Sequence, residues 1–96
     1  MTLFLILCAD KPGSRELRAA TRPDHLAYLA QGEVQVKVGG AWLDEADGGP
    51  LGSMLVVEAA DLAAARAFAA ADPYARAGLF ASVEVRPWRL AVGAFG

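Results

Sequence analysis

The sequence predicts an α+β fold in which four strands and two helices follow one another as strand, helix, strand, strand, helix, strand. Three observations carry this reading. The chain opens on an uninterrupted apolar run from Leu3 to Ala9. Two later stretches, Glu33 to Val38 and Ala81 to Arg86, alternate polar and apolar residues with the period of two expected of half-buried strands. An alanine-rich stretch beginning at Asp61 repeats apolar residues at helical spacing as far as Asp72. Ninety-six residues are enough for one hydrophobic core and too few for two, so residues 1–96 are read as a single domain.

The elements follow in order. Leu3–Ala9 is expected to be a strand buried on both faces, ending at the breakers Asp10-Lys11-Pro12-Gly13. Ser14 then suits a helix N-cap, with Glu16 in the favourable first turn. Pro23 is expected to kink this helix or to start a new segment, after which Leu26, Leu29 and Ala30 form an apolar face up to Gly32. Glu33–Val38 is the second strand, its valines on one face. Gly39-Gly40 and the polar stretch Asp44 to Pro50 read as a hairpin-like connection, with Trp42 and Leu43 covering apolar surface. Ser53–Glu58 is the third strand. Asp61 caps the second helix, whose inward face runs through Leu62, Ala65, Phe68 and Ala69. Asp72-Pro73 ends that helix and opens a short helical turn that stops at Gly78, and Ala81–Arg86 is the last strand. The tail from Ala91 to Gly96 is small and glycine-containing.

This order is the ferredoxin-like βαββαβ arrangement of an antiparallel sheet with both helices on one face. The other face is left open, and Phe4, Val36 and Val83 are expected to give it apolar character. A second sheet would cover such a face, so a homodimer is expected. The polar residues Glu33, Gln35, Lys37, Ser82, Glu84 and Arg86 line a wet cavity or face water, depending on register.

Composition narrows the function classes. A net charge of −2 with scattered basic residues argues against a nucleic-acid or anionic-membrane partner. The opening apolar run is too short to span a bilayer and lacks the flanks of a signal peptide. The single cysteine, Cys8, reads as a small buried hydrophobe, and its lack of a disulfide partner fits a reducing cytoplasm. One His and one Cys make no metal cluster of recognisable spacing, no glycine-rich phosphate loop is present, and Ser53 lacks a nucleophile-elbow context. No cofactor or metal is expected.

Two residues stand out. Asp72 continues the inward stripe of the second helix at the C-terminal end, where the macrodipole disfavours a carboxylate by several tenths of a kcal/mol. It is equally placed to cap the next turn through Asp-Pro. His25 is the only histidine, and a carboxylate bound to one ring nitrogen would fix its tautomer and leave the other nitrogen as a base. Against this stands the plainer reading that the pair only ties two helices together.

The blocks Cys8-Ala9-Asp10-Lys11-Pro12, Arg22-Pro23-Asp24-His25-Leu26 and Asp72-Pro73-Tyr74 through Gly78-Leu79-Phe80, followed by Val83 to Trp88, resemble the YciI-like (YCII-related) family over nearly the whole chain. The resemblance implies a ferredoxin-like dimeric α+β barrel with two sheets facing each other. It also implies an active site whose histidine and aspartate correspond to His25 and Asp72, with Arg22, Asp10, Ser53 and Tyr74 as substrate contacts. Relatives by fold include isomerases, dehydrochlorinases and monooxygenases. The function so implied is cofactor-independent acid–base chemistry on a small molecule in the barrel cavity, of the isomerase, lyase or dehydrochlorinase kind. The alternative is a non-catalytic small-molecule-binding or accessory dimeric module.

Overall fold

The computed structural model describes residues 2–32 and 34–95; Glu33, the expected start of the second strand, and Gly96 at the end of the tail lie outside the described residues. The elements are β1 (Thr2–Asp10), α1 (Arg15–Leu29), β2 (Gln35–Leu43), β3 (Pro50–Ala59), α2 (Leu62–Ala71), the short α3 (Pro73–Arg76) and β4 (Phe80–Pro87). The strands form one antiparallel sheet in the order β2-β3-β1-β4. The βαββαβ order is therefore present, and α3 is the helical turn anticipated between Asp72 and Gly78, which takes a positive φ of 78°.

The core lies between one sheet face and α2. Phe4, Ile6 and Cys8 of β1 alternate toward it, as do Leu55, Val57 and Ala59 of β3, and Ala65, Phe68 and Ala69 of α2 close it. Alanines on α2 let its backbone lie close to the strands. Asp61 caps the helix as expected, its Oδ1 accepting from the Ala64 backbone N–H at 2.8 Å. Cys8 sits in this layer, and burial followed by the nearby charge of Asp72 pushes its thiol up to about 12, which suits a small hydrophobe rather than a reactive group.

Helix α1 departs from expectation in three ways. It runs without a break through Pro23, because the backbone carbonyl that loses its donor, that of Ala19, belongs to an exposed residue and water can serve it. Ser14 stands at the N-cap position, but its hydroxyl donates to the Lys11 carbonyl instead of capping. Of the expected apolar stripe only Leu29 packs toward the core: Leu26 is 44% exposed and Ala30 is exposed, whereas the buried residues of α1 are Arg18 and His25. Its apolar contribution comes from its last turn, where Tyr28 stacks on Phe68 with ring centroids 4.9 Å apart and donates to the Phe68 carbonyl.

Strand β2 is longer than its alternation suggests. Gly39 and Gly40 lie inside it, and the reversal occurs at Asp44 to Gly49. A side chain at Gly39 would place its Cβ 2.3 Å from Leu55 Cδ2, so glycine makes room there for a core leucine. A bulge at Lys37 separates the pairs Val36–Val57 and Val38–Val56, and it moves Val38 to the opposite face from Val36. The open sheet face is built from different residues than expected. Phe4 is in the core, while Val36 and Val83 pair with Val57 and Cys8 on the helix-covered side. The open face instead carries Leu7, Val38, Trp42 and Met54, all 38–46% exposed, with Ser82 and Glu84 beside them. Trp42 lies across Gly52 and donates to the Cys8 carbonyl at 2.9 Å, walling a cavity of about 320 Å³ with Leu7, Ala9 and Met54. Among the described residues, no helix is long and apolar enough to cross a membrane.

Candidate functional site

The site grows from the two buried polar residues of α1. Arg18 and His25 are seven residues apart, so they share one helix face two turns from each other. Facing them is the break between α2 and α3. Asp72 leaves the helical conformation there (φ −57°, ψ 133°), and Pro73 restarts it as the first residue of α3.

The awkward carboxylate is thus satisfied twice. Asp72 Oδ1 accepts from the Tyr74 backbone N–H at 2.9 Å, capping α3, and His25 Nδ1 lies 2.9 Å from both carboxylate oxygens. Capping and pairing, posed as alternatives by the sequence, coexist. A carboxylate only accepts, so Nδ1 carries the proton and Nε2 of the neutral ring keeps its lone pair. The two side chains are 8% and 5% exposed. Nε2 has no hydrogen-bond partner among the described residues, yet none of their buried side-chain nitrogens or oxygens lacks one. Nε2 therefore reaches the surface.

Tyr74 joins the two ends of the site. It is 1% exposed, and its ring stacks on the His25 imidazole with centroids 4.0 Å apart and planes 18° apart. The Arg18 guanidinium carbon lies 4.6 Å from the same ring centroid. Burial pushes the Tyr74 phenol up, opposed by the charges of Arg18 and Arg22. Arg18 itself is held by the sheet: Nε donates to Asp10 Oδ2 at 2.6 Å, and Nη2 donates to Asp10 Oδ1 at 3.0 Å and to Ser53 Oγ at 2.7 Å. Burial opposes its charge, but the hydrogen bonds and charge of Asp10 outweigh it and hold the guanidinium above its ordinary pKa.

His25 and Asp72 thus meet, with Tyr74 against them. Asp10 and Ser53 converge too, on Arg18 rather than on the imidazole. Arg22 is exposed on α1, close enough for its charge to act on Tyr74. Arg18 was missed by sequence reasoning, although its seven-residue step to His25 was readable as a shared helix face. The pair lies on the helix-covered side of the sheet, so the cavity beside Trp42 is on the other side and is not shared with it. Among the described residues no cluster of three or more His, Cys, Asp or Glu side chains is arranged to hold a metal ion.

Comparison with known proteins finds relatives over most of the chain. The family model described as the YCII-related domain matches residues 2–89. The chain is 37% identical over 94 residues to Protein YciI of Escherichia coli O6:H1, covering 91% of this chain and 96% of that protein. It is 33% identical over 93 residues to an uncharacterized protein of Haemophilus influenzae, covering 90% and 95%. Among solved structures it resembles a 5-chloro-2-hydroxyhydroquinone dehydrochlorinase from Burkholderia phenoliruptrix AC1100 in complex with 2,5-dihydroxybenzoquinone. The TM-score is 0.82 at 36% identity, covering 93% of this chain and 95% of that one.

Proposed function

Because the chain belongs to the YCII-related domain family, we propose that it is a cofactor-independent acid–base catalyst acting on a small hydroxylated ring compound. The observation that carries this reading is the imidazole whose Nδ1 is tied to both oxygens of Asp72 while Nε2 reaches the surface. Nε2 takes a proton from the substrate. That proton passes to the ring carbon bearing the leaving group, giving a keto tautomer. Removal of a second hydroxyl proton then forms a carbonyl and shifts the electron pair through the ring to expel the anion, and the imidazolium gives this second proton to water. Loss of one proton and one anion leaves no oxidant to be supplied. Positioned general-base catalysis of this kind contributes about 10²–10⁴-fold. Arg22, exposed on α1 with its charge acting on Tyr74, would stabilise the developing oxyanion. Substrate approaches Nε2 from the surface on the helix side rather than through the cavity beside Trp42.

The dehydrochlorinase likeness names the first compound to try. With 5-chloro-2-hydroxyhydroquinone as substrate, the wild-type protein is expected to release chloride. His25→Gln is expected to lower that rate about 100-fold or more while keeping its melting temperature within a few degrees. Chloride release that is equal in the two proteins sinks the catalytic assignment. A second reading, a non-catalytic small-molecule-binding or accessory module, draws on the apolar cavity beside Trp42, which stands apart from His25. It predicts saturable binding of 2,5-dihydroxybenzoquinone that His25→Gln leaves unchanged and Trp42→Ala weakens.

The open sheet face carries the assembly proposal. Leu7, Val38, Trp42 and Met54 form an apolar surface that the sheet of a second copy would cover, giving a homodimeric α+β barrel of two domains that each span residues 1–96. Light scattering should then report twice the chain mass for the wild-type protein and a single chain mass for Val38→Glu; a monomeric wild type refutes it. The buried, unpaired Cys8 fits a cytoplasmic location.

A further inference from the structure

We infer that Arg18 is a positioning residue for His25, acting through the Tyr74 ring that lies between them. This rests on the acid–base reading of His25 given above. Helix α1 is odd in what it buries: an arginine and a histidine, not leucines. A buried ion pair roughly breaks even against apolar packing of the same volume, so stability alone does not account for Arg18.

Geometry offers an account. Seven residues of α-helix rise about 10 Å, which is room for one aromatic ring between the side chains at its two ends. The Tyr74 ring fills it, 4.0 Å from the imidazole centroid and 4.6 Å from the guanidinium carbon. The guanidinium is fixed to the sheet by three hydrogen bonds, two to Asp10 on β1 and one to Ser53 on β3. Arg18 also reaches the Tyr74 phenol through its charge and a side-chain hydrogen bond, and the ring is held further by its faces and by the edge contact with Phe80.

The imidazole needs such a support. Its Nδ1 is equidistant, at 2.9 Å, from both Asp72 oxygens. That contact fixes one atom of the ring and its tautomer, while the tilt of the ring plane about it stays open. The stack against Tyr74, within 18° of parallel, sets that tilt and hence the direction of the Nε2 lone pair. The chain of support therefore runs from the sheet through Asp10 and Ser53 to Arg18, then Tyr74, then His25.

The test needs no turnover to read the geometry. His25 is the only histidine, so its ring protons can be assigned by labelling histidine alone. In the wild-type protein they are expected upfield of free histidine because of the Tyr74 ring current. Arg18→Gln combined with Asp10→Asn removes both charges together, leaving neither unpaired. It is expected to return the His25 protons at least halfway to their free values, as Tyr74→Leu does. In the chloride-release assay the same double variant is expected to lower kcat about 100-fold with KM little changed. A folded double variant whose His25 protons stay at wild-type positions overturns the inference. Should the double variant not fold, Arg18→Lys, which keeps the charge but not the planar fork, is read instead: displaced His25 protons support the positioning role and unmoved ones overturn it. Displaced protons with undiminished turnover would uphold the positioning and overturn the acid–base reading of His25.

Discussion

Asp72→Ala lowers the unfolding free energy by about 2–4 kcal/mol, whereas Asp72→Asn lowers it by only about 1 kcal/mol. The alanine variant loses two things at once. The cap on the Tyr74 backbone N–H is worth about 1 kcal/mol. The His25 Nδ1–H, left without an acceptor in a side chain 8% exposed, costs about 1–3 kcal/mol more. Asparagine is a good N-cap and keeps one carbonyl oxygen, so most of the stability survives. Urea denaturation of the three proteins measures the difference. The site should respond in the opposite proportion, because an amide NH₂ facing Nδ1 favours the tautomer with the proton on Nε2 and so reverses the base. Asp72→Asn is therefore expected to lose about 10³–10⁴-fold in turnover while remaining well folded, the scale seen when a catalytic histidine takes the wrong tautomer. Nitrogen chemical shifts of the single histidine report the tautomer directly. If Asp72→Ala proves as stable as the wild type, the carboxylate is not holding His25.

The contrast between Asp72 and Arg18 shows which parts of the site are legible from residues alone. Asp72 could be singled out because it breaks two local rules: it continues an inward stripe and it ends a helix with the wrong charge. Arg18 breaks no local rule, since an arginine on a helix is ordinarily a solvated residue, and only the fold reveals Asp10 and Ser53 beneath it. The βαββαβ order followed from periodicity, which depends on each segment's own residues. The identity of the open face did not follow, because the face taken by Phe4, Val36 and Val83 is set by strand register, which a segment's own residues do not reveal. The bulge at Lys37 adds a reversal that carries Val38 to the open side. Pro23 misled for a related reason. Its cost depends on who serves the orphaned carbonyl, and at exposed Ala19 water can. The pairing of His25 with Asp72 had a chemical motive in the sequence, but bringing together residues so far apart in the chain is the work of the fold.

Arg18→Met alone should be among the most damaging single replacements in this chain, at about 3–5 kcal/mol, because it leaves the Asp10 carboxylate buried without its partner. The two side chains are 7% and 6% exposed, so water screens the pair little. Adding Asp10→Leu removes the stranded charge, and the double variant is expected to return to within about 1–2 kcal/mol of the wild type, since apolar replacements of a buried pair are often neutral. The double-mutant cycle would then show a coupling of several kcal/mol between residues eight positions apart. A single variant that unfolds at the wild-type denaturant concentration contradicts the burial of Asp10. The cycle also separates stability from function, because methionine and leucine can restore packing but cannot provide the planar cation that lies against Tyr74. A double variant that is stable yet impaired at His25 would show that the ion pair is kept for the geometry it imposes rather than for the free energy of folding.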